Sequence, residues 1–102
     1  MRIEKATSAD ETIIRVEGDV DLYSSPELRT AVLKALPKAP QGVGVHLGGV
    51  TYMDSSGVAT LVEGLRSAKE HGKDFWLLAP SSSVMKVLEL ARLDSVFVVR
   101  PD

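Results

Sequence analysis

The chain has 102 residues, a formal net charge of −2 with acids and bases interspersed, and no cysteine. The missing thiols exclude disulfides, thiolate metal sites and cysteine nucleophiles, and the dispersed charge leaves no concentrated basic footprint for nucleic acid. No apolar run approaches the ~20 residues that cross a bilayer and no secretory leader pattern opens the chain, so a cytoplasmic protein without membrane insertion is expected, one domain over residues 1–102.

The first 18 residues read as two strands. Arg2-Ile3-Glu4-Lys5-Ala6 alternates loosely, and Thr12-Ile13-Ile14-Arg15-Val16-Glu17 is β-branched and bounded by Gly18. The turn-like Thr7 to Glu11 between them predicts an antiparallel hairpin. Ser24-Ser25-Pro26-Glu27 is a helix start, with serine as cap and proline in the first turn. Leu28, Ala31, Val32, Ala35 and Leu36 give that helix one apolar face, and Pro37 and Pro40 stop it.

Val43-Gly44-Val45-His46-Leu47 lacks clean alternation, as a strand covered on both faces does, and Gly48-Gly49 is expected to close it. The stretch Val50 to Ala59 then leads through Asp54-Ser55-Ser56-Gly57 into a helix over 56–71. Val58, Leu61, Val62, Leu65 and Ala68 form its apolar face, and Gly72 stands where a left-handed C-terminal residue belongs. Asp74 to Ala79 is a further strand candidate, with Phe75 and Trp76 read as core. A helix capped from Ser81-Ser82-Ser83 presents Val84, Val87, Leu88 and Ala91, and Val96 to Val99 is a last short strand. The order β-β-α-β-α-β-α-β predicts an α/β fold, a mixed sheet of four to five strands with an N-terminal antiparallel hairpin and helices packed over it.

Asp54-Ser55-Ser56-Gly57 stands out because a helix start leaves backbone N–H groups unpaired and carries the positive end of the dipole, a place for an oxyanion. Catalysis there finds no support. No Gly-x-Ser-x-Gly elbow is present, and His71, at the far end of the helix, would lie about 24 Å away at 1.5 Å per residue. Phosphate-binding glycine loops are missing too. Asp19, Asp21 and Asp54 have no fixed ligand spacing, so neither a metal nor a cofactor is expected. Helix capping is the plain role for Ser56.

Two motifs in this order carry a family resemblance. Gly18-Asp19-Val20-Asp21-Leu22-Tyr23-Ser24-Ser25-Pro26-Glu27-Leu28 is similar to the entry to the first helix of STAS domains, and Tyr52-Met53-Asp54-Ser55-Ser56-Gly57 to their Asp-Ser-[Ser/Thr]-Gly signature. Leu-Leu-Ala-Pro and Leu-x-Leu-x-x-Leu-Asp follow downstream. The chain thus resembles the STAS-domain anti-sigma factor antagonists over nearly all its length. That resemblance implies a non-enzymatic, partner-switching regulator of transcription, monomeric or weakly dimeric. Its unphosphorylated form would bind an anti-sigma factor that is also a serine kinase. Phosphorylation of Ser55 would release it, and a PP2C-type phosphatase would restore it. Asp21, Asp54, Ser55, Ser56 and Gly57 would form the partner-binding surface. The alternative is a STAS subunit of an ABC-type lipid transporter, docked on its ATPase. His46 departs from the acidic or amide residue usual at its position.

Overall fold

The computed structural model describes residues 1–101; Asp102, the last residue of the expected domain, lies outside the described residues. Strands β1 (Arg2–Thr7) and β2 (Glu11–Val20) form the hairpin, followed by α1 (Ser25–Ala35) and a 3₁₀ turn at Leu36–Lys38. Then come β3 (Gly42–Met53), α2 (Ser55–Glu70), β4 (Asp74–Leu78), α3 (Ser82–Leu90) and β5 (Val98–Arg100). The five strands lie side by side in chain order, β1 antiparallel to β2 and the rest parallel. The expected α/β class, hairpin and mixed sheet are therefore observed.

Successive parallel neighbours joined by right-handed crossovers place every helix on the same face of the sheet. The core fills the space between: Ile14 and Val16 of β2, Val43, Val45 and Leu47 of β3, and Phe75 and Leu77 of β4 are buried against Leu28, Val32, Leu61, Ala68, Val84 and Leu88 of the helices. The helical periodicity thus named the buried faces except at Ala91, which is exposed just past the end of α3, and it passed over Gly64. A Cβ there would stand 2.8 Å from the Phe75 ring and 3.0 Å from Val32, so the missing side chain lets α2 settle onto β4 and α1.

Several expected boundaries are corrected. Gly18 does not end β2, which runs to Val20, and Gly48-Gly49 does not close β3, which continues to Met53. Two irregularities explain why the pattern misled. Arg15 pairs with His46 but Glu17 with Gly49, and Gly18 pairs with Val50 but Asp19 with Tyr52, so β3 gains a residue on β2 at each bulge. Leu47, Val50 and Met53 are consequently all buried at a spacing of three, which a regular strand of period two cannot achieve. Pro37 sits inside the 3₁₀ turn rather than beyond it. The last strand begins only at Val98, while Phe97 turns into the core with its ring centroid 6.5 Å from that of Phe75. Trp76, read as core, is buried as expected, but on the opposite face of the sheet. Its ring covers Gly44, where a Cβ would fall 2.3 Å from the indole nitrogen, and the Arg100 guanidinium stacks 4.1 Å above it.

Candidate functional site

The carboxyl ends of β2 and β3 and the starts of α1 and α2 meet at one edge of the sheet. The Asp54 N–H donates to the Val20 carbonyl at 3.2 Å, which holds the two strand ends together. Val20 and Met53 turn inward beneath the junction. Gly57 is buried over them, and a Cβ on it would come within 2.6 Å of Met53 and 3.0 Å of Val20. Gly57 therefore acts from beneath the surface, by letting the first turn of α2 sit down on the strands.

Asp54, not Ser56, caps α2. Its backbone is extended, and its carboxylate accepts the Ser56 N–H at 2.9 Å and the Ser56 hydroxyl as well. The Asp54 carbonyl takes the N–H groups of Gly57 (3.1 Å) and Val58 (3.2 Å). The oxyanion expected at this helix mouth is thus a side chain of the chain itself. The Ser56 hydroxyl holds the Asp54 carboxyl below the usual carboxylate range, helped by backbone N–H groups of Ser56, Gly57 and Leu22 and opposed by partial desolvation. Leu22 belongs to the loop before α1, so that loop faces the start of α2 across Asp54.

That loop is built around Asp21. Its carboxylate accepts the N–H groups of Tyr23 and Ser24, each at 3.0 Å, while its carbonyl accepts the Ser25 N–H at 2.8 Å. Ser24, the residue before α1, does not cap the helix with its side chain. Its hydroxyl turns back to accept the Asp21 N–H at 2.9 Å and lies 3.0 Å from the Asp19 carbonyl. The Ser24 N–H leads the groups that hold the Asp21 carboxyl down, opposed by partial desolvation and, more weakly, by the nearby Asp54 charge. Asp19 accepts the Thr51 hydroxyl at 2.7 Å. Each of the three carboxylates already serves the fold, and among the described residues no three metal-ligating groups are clustered.

Ser55 is different. It is the first residue of α2, exposed, and its hydroxyl enters no hydrogen bond among the described residues. Asp21, Asp54, Ser55 and Ser56 are gathered on this edge, with Gly57 underneath. Motif reading missed three neighbours, Leu22, Tyr23 and Tyr52, which are 68%, 92% and 52% exposed. Large apolar and aromatic side chains inside both motifs, beside the polar residues, were the available signal. His46 stands apart from this edge, buried on the helix-free face, with the Gly48 N–H 3.3 Å from its Nδ1.

Comparisons with known proteins agree with this architecture. A family profile described as "Mlab, STAS domain" matches residues 3–100. An anti-sigma-B factor antagonist of Staphylococcus epidermidis is 27% identical over 99 residues, covering 97% of this chain and 92% of the relative. An anti-sigma factor antagonist from Mycobacterium paratuberculosis superposes with a TM-score of 0.87 at 19% identity, covering 99% of this chain and 86% of that one. The Bacillus cell fate determinant SpoIIAA in its phosphorylated form gives 0.74 at 22% identity, covering 96% and 90%. With the profile spanning almost the whole described length and the fold shared, the chain belongs to the STAS-domain family.

Proposed function

We propose that this protein is an anti-sigma factor antagonist whose binding is switched at Ser55. In this reading, the unphosphorylated edge formed by Asp21, Asp54, Ser55 and Ser56, with Gly57 setting the helix beneath it, docks on an anti-sigma factor that is also a serine kinase. Transfer of phosphate to Ser55 ends the contact, and a PP2C-type phosphatase resets it. The protein works in the cytoplasm as a binding module, not as an enzyme. The observation that carries the proposal is the contrast between two adjacent serines: Ser56 is bonded to Asp54, while Ser55 presents a free hydroxyl beside exposed Leu22, Tyr23 and Tyr52. Large, exposed apolar and aromatic side chains of this kind are what protein interfaces use as anchors. The name shared by the curated relatives favours this reading over docking on a transporter ATPase.

The test is incubation with ATP and an anti-sigma factor kinase that binds this protein, followed by mass-spectrometric mapping. Phosphate on Ser55 is expected. Phosphate on Ser56 or elsewhere, or none from a kinase that binds the protein, overturns the assignment.

A further inference from the structure

The two edges of the sheet are built differently. Strand β1 exposes Arg2, Glu4 and Lys5 along its length, charges of the kind that keep an edge strand from pairing with another chain. Strand β5, the other edge, lacks that protection. Val96-Phe97-Val98-Val99 is the continuous apolar run of a strand covered on both faces, yet Val96, Val98 and Val99 are 48%, 58% and 40% exposed. The charge on β5, Arg100, is drawn inward, stacked on Trp76 and 3.8 Å from Glu11. The Arg100 carbonyl accepts the Ala79 N–H at 2.7 Å, and Arg100 pairs with Leu78 in the parallel ladder. Successive residues of a strand turn their backbone groups to opposite sides. Val98 and Arg100 therefore turn to β4, while Val99 turns its N–H and carbonyl to the open edge.

We propose that β5 is a self-association surface, pairing antiparallel with β5 of a second copy of this chain about a two-fold axis at Val99. Val99 then exchanges both backbone hydrogen bonds with its own copy, and Val98 lies opposite Arg100 of the second copy. A second copy fits because the central residue is its own complement and the two-fold closes the assembly. Joining β5 to the charged β1 would instead build an open fibre. Pro101, which has no N–H, keeps the pairing short. A three-residue strand buries less than the roughly 800 Å² per partner of stable complexes, so the dimer is weak, with a Kd of about 0.1–1 mM. Antiparallel pairing sends the carboxyl ends of the two sheets in opposite directions, so both Asp54-Ser55 edges stay open. The dimer does not depend on the Ser55 reading.

The experiment is sedimentation equilibrium of the full chain up to about 1 mM, with amide exchange of the ¹⁵N-labelled chain followed over the same concentrations. The mass should rise from monomer toward dimer. Exchange of the Val99 N–H should slow as concentration rises, while that of Val98, already turned to β4, stays the same. Val98→Lys sets a lysine opposite Arg100 twice across the two-fold and should weaken the dimer tenfold or more. Val98→Glu sets a carboxylate there and should associate at least tenfold more tightly than Val98→Lys, although the chain's net charge of −2 on its own favours the lysine. Both variants should melt as the parent does. A monomer at every concentration, equal weakening by lysine and glutamate, or protection centred on β1 or Tyr23 overturns the proposal. Should a Val98 variant fail to fold, exchange of the Val99 N–H in the parent chain decides by itself.

Discussion

Asp54 caps α2 with its carboxylate and closes the first turn with its carbonyl. All the carboxylate's bonds favour its ionised form, and the Ser56 hydroxyl is the strongest of them. The folded pKa is therefore below the unfolded value of ~3.9. For a depressed carboxyl, the stabilisation is fully present above the unfolded pKa and is lost as pH falls through the folded one. Asp54→Asn keeps an acceptor for the cap but cannot titrate. At pH 7 the parent should withstand more urea than Asp54→Asn, and the difference should shrink as pH falls from 4 toward 2. A difference independent of pH over that range would show that the charge of Asp54 contributes nothing.

At the scale of elements, two helices end in the same backbone motif with very different residues. After α2, Gly72 adopts φ +66° while its N–H donates to Lys69 and the Lys73 N–H to Ala68. After α3, Arg92 adopts φ +60° while its N–H donates to Glu89 and the Leu93 N–H to Leu88. Both are Schellman endings, which favour glycine at the left-handed position. A side chain there costs roughly 1 kcal/mol through the contact of Cβ with the following carbonyl. Arg92→Gly should thus raise stability by about 0.5–1 kcal/mol, a rise of several degrees in Tm for a domain near 100 residues. A lower Tm would mean that the Arg92 side chain contributes more than the backbone loses. The pair also shows what could be read in advance. Gly72 announced its helix end because glycine is the usual occupant; Arg92 carries no such mark, because tertiary packing of Leu93 imposes its conformation. The apolar helix faces and the Asp-Ser-Ser-Gly motif were legible for the same reason, periodicity and local chemistry. The β3 bulges were not, since Gly48 and Gly49 are placed by the His46 ring and the Glu17 side chain, approaches that exist only in the folded chain. Likewise Asp54 displaced Ser56 as the cap because an extended residue one step before the helix outcompetes a serine already inside it.

For the whole molecule, the core lies between helices and sheet, whereas Ser55 projects from the edge where strands hand over to helices. Chemistry at Ser55 is thereby separated from stability. A phosphate there adds about −1.5 to −2 charges. The helix dipole favours it by ~0.3–1 kcal/mol, but Asp54 already occupies the helix mouth and repels it, so the two effects oppose each other and the fold should change little. A partner packed against this edge meets a different balance. It would have to desolvate a dianion beside Asp54 and Asp21, and a loss of about 2.7 kcal/mol is enough for a hundredfold weaker complex. Three variants separate the two outcomes. Ser55→Ala should stay bound to the kinase partner, and Ser55→Asp should bind at least tenfold more weakly while melting within about 2 °C of the parent. Tyr23→Ala, at a side chain 92% exposed and outside the core, should also weaken the complex tenfold or more with an unchanged melt. Calorimetric titration against the partner, with thermal melts of the free proteins, gives both readouts. If Ser55→Asp lost affinity only in proportion to lost stability, the edge would be a structural seam and not a switch. If Tyr23→Ala bound normally, the apolar side chains around Ser55 would lie outside the interface.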